Sequence, residues 1–161
     1  MMKTWTCLFL LAMLLLADCS KNDLANKNPI DFKAECWSVP DLKVSSKYMI
    51  GGTASHLGKI NTEQSYFNFK TLEYMEIDGF PFFDMRGSGK ITGGNGDSFE
   101  FNFKISQSLI DQHLVGKIDI IPESGTGIFK GCCGCLDNIG RINDNELQSF
   151  VFTIKGSLAF D

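Results

Sequence analysis

The run SFEFNFKI at 98–105 alternates without a break, with Phe99, Phe101, Phe103 and Ile105 on one side and Glu100, Asn102 and Lys104 on the other. A period of two belongs to a strand with one dry and one wet face; a helix spreads the same residues around its circumference. SFVFTIKGSLAF at 149–160 repeats the pattern, setting Phe150, Phe152, Ile154, Leu158 and Phe160 against Thr153, Lys155 and Ser157. SYFNFKTL at 65–72 aligns Phe67 with Phe69, and KVSSKYMI at 43–50 and LVGKIDII at 114–121 read as further strands. Between them lie turn signals. The Asn-Gly step in GGNGD at 93–97 supplies the positive φ of a tight hairpin, and PESGTG at 122–127 forms a second turn. Helix is confined to a turn or two in SQSLIDQ at 106–112 and DNEL at 144–147. A chain with 14 Phe, 16 Gly and only 4 Pro suits aromatic strands joined by glycine turns. The expected fold is therefore all-β: a single closed or nearly closed antiparallel β-barrel of about eight strands, calycin-like. Closure is favoured because it removes exposed sheet edges.

The first residues give an address. Lys3 precedes an apolar run at 8–17, followed by small and polar residues, which is the build of a secretory signal peptide. That run is half of the roughly 20 residues a transmembrane helix needs. Its end, Leu16-Ala17-Asp18-Cys19, resembles the lipobox of bacterial lipoproteins, in which the cysteine is acylated and becomes the new N-terminus. The resemblance implies a signal peptide at 1–18, a lipid on Cys19, and attachment to the cell envelope, at the outer membrane. Several acyl chains, each buried CH2 contributing about 0.8 kcal/mol, would hold the protein firmly. Residues 19–33, rich in Asn, Lys and Asp, read as a flexible tether, and 34–161 as one domain large enough for a real core.

The formal net charge of -4, with lysines scattered singly, argues against a nucleic-acid partner, which calls for clustered Lys and Arg. Three segments in order, GGTASHLGKI at 51–60, GSGKITGGNGDSFEFNF at 87–103 and GTGIFKGCCGCLDNIGRI at 125–142, carry a family resemblance. They are similar to the Thr-His-Leu-Gly-Lys, Asn-Gly-Asp and Gly-Thr-Gly-Arg-Phe-x-Gly-Ala elements of small secreted bacterial β-barrel domains related to the allene oxide cyclase and dirigent barrels. The resemblance implies an antiparallel barrel of about eight strands with a central pocket. It carries no catalytic residue onto this chain, and no metal or cofactor is expected.

Four thiols remain beyond Cys19: Cys36, Cys132, Cys133 and Cys135. In an oxidising compartment they read as disulfide candidates, with Cys36 tied to the late cluster. Closing a loop of about a hundred residues would stabilise by up to ~4.7 kcal/mol in the chain-entropy model. Cys132 and Cys135 also have C-x-x-C spacing, but no helix start follows to lower a thiol pKa. A zinc site would want two such knuckles rather than one crowded cluster.

The stretch LEYMEIDGFPFFDM at 72–85 is aromatic around Gly79 and Pro81. It reads either as strand and core or as a lid over a barrel mouth, so Tyr74, Phe80, Phe82 and Phe83, with His56 at a neighbouring bend, are the candidate ligand-pocket residues. His56 and His113 are the two histidines, and neither has a nucleophile at a recognisable spacing. Two functions stay open: a non-enzymatic envelope barrel binding a small apolar ligand or a protein partner, and an isomerase or cyclase using the same pocket. A membrane-spanning barrel is a third reading, disfavoured because its strands need about 9–11 residues and aromatic girdles.

Overall fold

The computed structural model describes residues 29–143 and 149–160. Its wall is made of eight strands of 8 to 13 residues. They are β1 (Ile30–Pro40), β2 (Lys47–Ala54), β4 (Tyr66–Ile77), β5 (Phe80–Thr92), β6 (Ser98–Ser108), β7 (His113–Ile120), β9 (Cys135–Asn143) and β10 (Ser149–Phe160). Two-residue strands, β3 (Gly58–Lys59) and β8 (Cys132–Cys133), pair with β2 and β10. The hydrogen-bonded order is β1-β10-β9-β7-β6-β5-β4-β2, every pair antiparallel, and β2 pairs with β1 again. The sheet thus curls into a near-ring. Its narrowest joint is β2 to β4, where only Lys47, Tyr48 and Met49 face Asn68, Phe67 and Tyr66.

The alternating runs face as their period requires. On β6, Phe99, Phe101 and Phe103 are buried while Glu100, Asn102 and Lys104 are exposed. On β10, Phe150, Phe152, Ile154 and Leu158 are buried, and Phe160 packs partly against the same core. An apolar interior with charge outside on β6 and β7 is the opposite polarity from a barrel whose wall spans lipid around a wet lumen.

One end of the ring is plugged. Phe32 of β1, Phe99 of β6 and Phe129 meet with centroids 5.2 to 6.2 Å apart, two of the three contacts edge-to-face. Phe129 arrives on a 3-10 turn, Gly127–Phe129, held across this end by Thr126. The backbone N–H of Thr126 donates to the carbonyl of Ser98 at 2.8 Å, and the Ser98 N–H donates to Thr126 Oγ1 at 3.0 Å. Gly127 has φ of 57°, and any side chain there would strike the Asp97 carboxylate, so glycine is needed on both counts.

Several expectations are corrected. Ile30 to Lys33 belong to β1 rather than the tether, and Phe32 is among the most deeply buried side chains. The first half of KVSSKYMI is a turn, with Ser46 at φ 72°, and β2 starts only at Lys47. SQSLIDQ is not helical: β6 runs to Ser108, whose hydroxyl accepts from the N–H groups of Ile110 and Asp111 and forms the turn instead. DNEL and Cys19 lie outside the described residues.

The disulfide expectation fails. No disulfide joins Cys36, Cys132, Cys133 or Cys135. Cys36 faces Phe152 on β10, whereas Cys132 and Cys133 face Phe160 and Ala159 on the same strand. Seven or eight residues of strand separate those partners, roughly 20 Å, against the roughly 7 Å between Cα atoms that a disulfide tolerates. Within the cluster, adjacent Cys132 and Cys133 lie on one short strand and point to opposite faces. β1 enters the ring beside the cysteine cluster, with Ile30 facing Leu158, but Cys36 stands six residues further along and away from it, which sequence spacing alone does not show.

Candidate functional site

Away from the Phe129 plug, the strand faces converge on an apolar concavity. Phe101, Phe103 and Ile105 of β6 form one side, and Phe150 and Phe152 of β10 the other. Phe67 and Phe69 of β4, Met85 of β5, Ile50 of β2, and Leu114 and Ile118 of β7 complete the apolar surface. Asn138 of β9 is the remaining lining residue and, among the described residues, the only polar one. The cavity volume of the concavity is about 40 Å³.

By burial, the half-buried Phe69 and Ile105 form the rim, and the fully buried side chains, Ile50, Ile118 and Asn138 among them, form the floor. The rim is stiffened by aromatic contacts: Phe67 and Phe69 each meet Phe103 nearly perpendicular, at 5.7 and 5.8 Å. Tyr48 stacks on Phe67 at 5.0 Å. Such pairs contribute about 0.5–1.5 kcal/mol each beyond area burial.

Asn138 faces inward because LDNIGRI alternates about it, with Leu136 buried on the same side. Its strand neighbours are Gly116 on β7 and Ile154 on β10. Only 2% of Asn138 is exposed, and its Oδ1 has no hydrogen-bond partner among the described residues. The Ser38 hydroxyl is also buried without one, but it does not line this concavity.

The residues expected to form a pocket sit elsewhere. None of Tyr74, Phe80, Phe82, Phe83 and His56 lines the concavity. Beyond a bulge at Phe69 and Thr71, β4 and β5 run on as a hairpin that β2 does not cover. Tyr74 and Phe80 on it are 59% and 64% exposed, so the outer part of that stretch is strand but neither core nor closed lid. Phe82 is half-buried, Phe83 packs partly on the core, and Met85 alone of the stretch lines the concavity. His56 is exposed in the turn after β2 at φ 66°, its Nε2 3.1 Å from the backbone oxygen of Asp31. His113 pairs with Asp111 at 3.1 Å on the surface.

Burial pushes the Cys36 thiol up to about 12. The Cys132 thiol rises to about 11, chiefly through burial and secondarily through neighbouring Cys133. That is the reverse of an activated redox thiol. At pH 8 the thiolate fractions are about one in ten thousand and one in a thousand. Iodoacetamide at that pH should leave Cys36 and Cys132 unmodified in the folded protein and label both in urea, read by peptide mass spectrometry. Rapid labelling of the folded protein would mean that the two thiols are not enclosed. Among the described residues no group of three or more His, Cys, Asp or Glu side chains is arranged to hold a metal ion.

The chain matches no family model, no curated protein and no solved structure.

Proposed function

We propose that this protein is a closed, calycin-type β-barrel, hung from the cell envelope by a lipid on Cys19, that binds a small apolar molecule without transforming it. The observation that carries the binding reading is the concavity itself. It is apolar at every described lining residue but one, lies away from the end plugged by Phe129, and is bordered by the half-buried Phe69 and Ile105. Sites of this kind take small ligands by burying their apolar surface. Catalysis would draw on convergent ionisable groups, and the lining offers a single amide, which supports binding over the isomerase or cyclase alternative. The closed-barrel reading rests on β1 pairing with both β2 and β10, and it agrees with the motif resemblance to the allene oxide cyclase and dirigent barrels. The anchor rests on the Leu-Ala-Asp-Cys sequence at 16–19.

Native mass spectrometry of protein taken from its own membrane, followed by titration with the neutral fluorophore N-phenyl-1-naphthylamine, tests both halves. The expected results are a mature chain starting at acylated Cys19 and saturable binding that shifts the methyl resonances of Ile50, Met85 and Ile118. An unmodified chain with another N-terminus removes the anchor. Fluorescence that rises without saturation, or shifts confined to the exposed hairpin, removes the pocket.

A further inference from the structure

We infer that the ligand of this concavity carries one uncharged hydroxyl and binds hydroxyl-first, with that group against the Asn138 amide; this rests on the binding reading above. The floor is where the chain departs from its own pattern. Every other lining residue is apolar, yet at the inward position between Gly116 and Ile154 it places an amide with an unpaired Oδ1. A buried acceptor left unpaired costs stability, whereas an apolar residue of the same shape in its place is close to neutral. Such a residue at the bottom of an apolar cup is the expected mark of a group that meets something polar from outside.

Three partners compete for it. A resident water needs two to four polar contacts to be held well, and the floor supplies one side chain. A carboxylate needs a cation or several donors when desolvated, and among the described residues no charged side chain lines the concavity. A hydroxyl needs neither, and it can donate to Oδ1 while its alkyl or aryl body stays among the phenylalanines. The cavity volume, about 40 Å³, is small, which favours a slender hydroxyl-bearing end over a bulky one.

The test uses the whole domain, with 1-octanol, octyl methyl ether and octanoate each displacing N-phenyl-1-naphthylamine. Asn138→Leu nearly preserves volume while removing the amide. The affinity ratio of octanol to ether should fall about tenfold from the native protein to Asn138→Leu, the size of one hydrogen bond. Octanoate should compete at least tenfold more weakly than octanol on the native protein. The melting temperature of Asn138→Leu should equal or exceed that of the native protein. An unchanged ratio, octanoate binding as well as octanol, or a marked loss of thermal stability each overturns the inference; the last means that the amide is already satisfied inside the fold. Failure of all three compounds and the fluorophore to bind would instead remove the pocket reading itself.

Discussion

Phe99→Ala is expected to destabilise the domain by about 3–5 kcal/mol, the range for emptying a fully buried phenylalanine site. Phe99 has no exposed surface and touches both Phe32 and Phe129, so its ring joins the wall to the plug. Both neighbours are large; Phe32 comes from a strand laddered on both sides and Phe129 from a turn tied to Ser98 through Thr126, so the space left can collapse only in part. For a domain of this size the melting temperature should drop by roughly 10 °C or more. Phe80→Ala, at the exposed end of the β4–β5 hairpin, is the control and should stay within about 0.5 kcal/mol of the native protein. Denaturant melts of the two variants give the comparison. Equal effects would mean that the plugged end is not the core described above.

The second large effect is expected at Gly87. Valine suits an ordinary strand better than glycine, by roughly 1 kcal/mol on propensity alone, so a bland reading predicts that Gly87→Val stabilises. The local geometry predicts the reverse. Gly87 lies between Phe69 of β4 and Phe103 of β6, and a Cβ there would run into the backbone oxygen of Asn68 and sit 2.5 Å from Phe103 Cζ. A backbone atom in two ladders cannot move aside as a side-chain tip can. The clash should cost about 3 kcal/mol, the upper part of the usual range for overpacking. Gly94→Ala serves as the control, because its Cβ would meet only the Lys59 oxygen at 3.4 Å. A thermal melt in which Gly87→Val matches or exceeds the native protein would refute this packing.

The same two sites explain what could be read in the sequence and what could not. The inward faces of β6 and β10 were legible because alternation is a local property, written in Phe99, Phe101 and Phe103 regardless of neighbours. The GGNGD hairpin was legible for the same reason, although the positive φ falls on Gly96. The thiol pairing was not, since it depends on where along β10 Cys36 and the late cluster each come to lie, which is fixed only by the β1–β10 register. Nor was the fate of the 72–85 stretch: its strands are real, but whether they lie over the ring or beyond it depends on where β2 stops pairing with β4. Asn138 could have been found. In LDNIGRI it stands in phase with Leu136, Gly140 and Ile142, a polar residue at a position where the pattern asks for an apolar one.

The succession Phe69, Gly87, Phe103 across three strands, echoed by Phe67, Gly89, Phe101 beside it, has a bearing on how such a chamber can diversify. Where the middle strand contributes no side chain, its neighbours' rings spread over the gap, and it is their outline that sets the room left inside. Capacity is then decoupled from strand count and register. Exchanging one ring for a shorter residue would enlarge the chamber while every ladder hydrogen bond stays in place, so a lineage could retune what it accommodates one codon at a time.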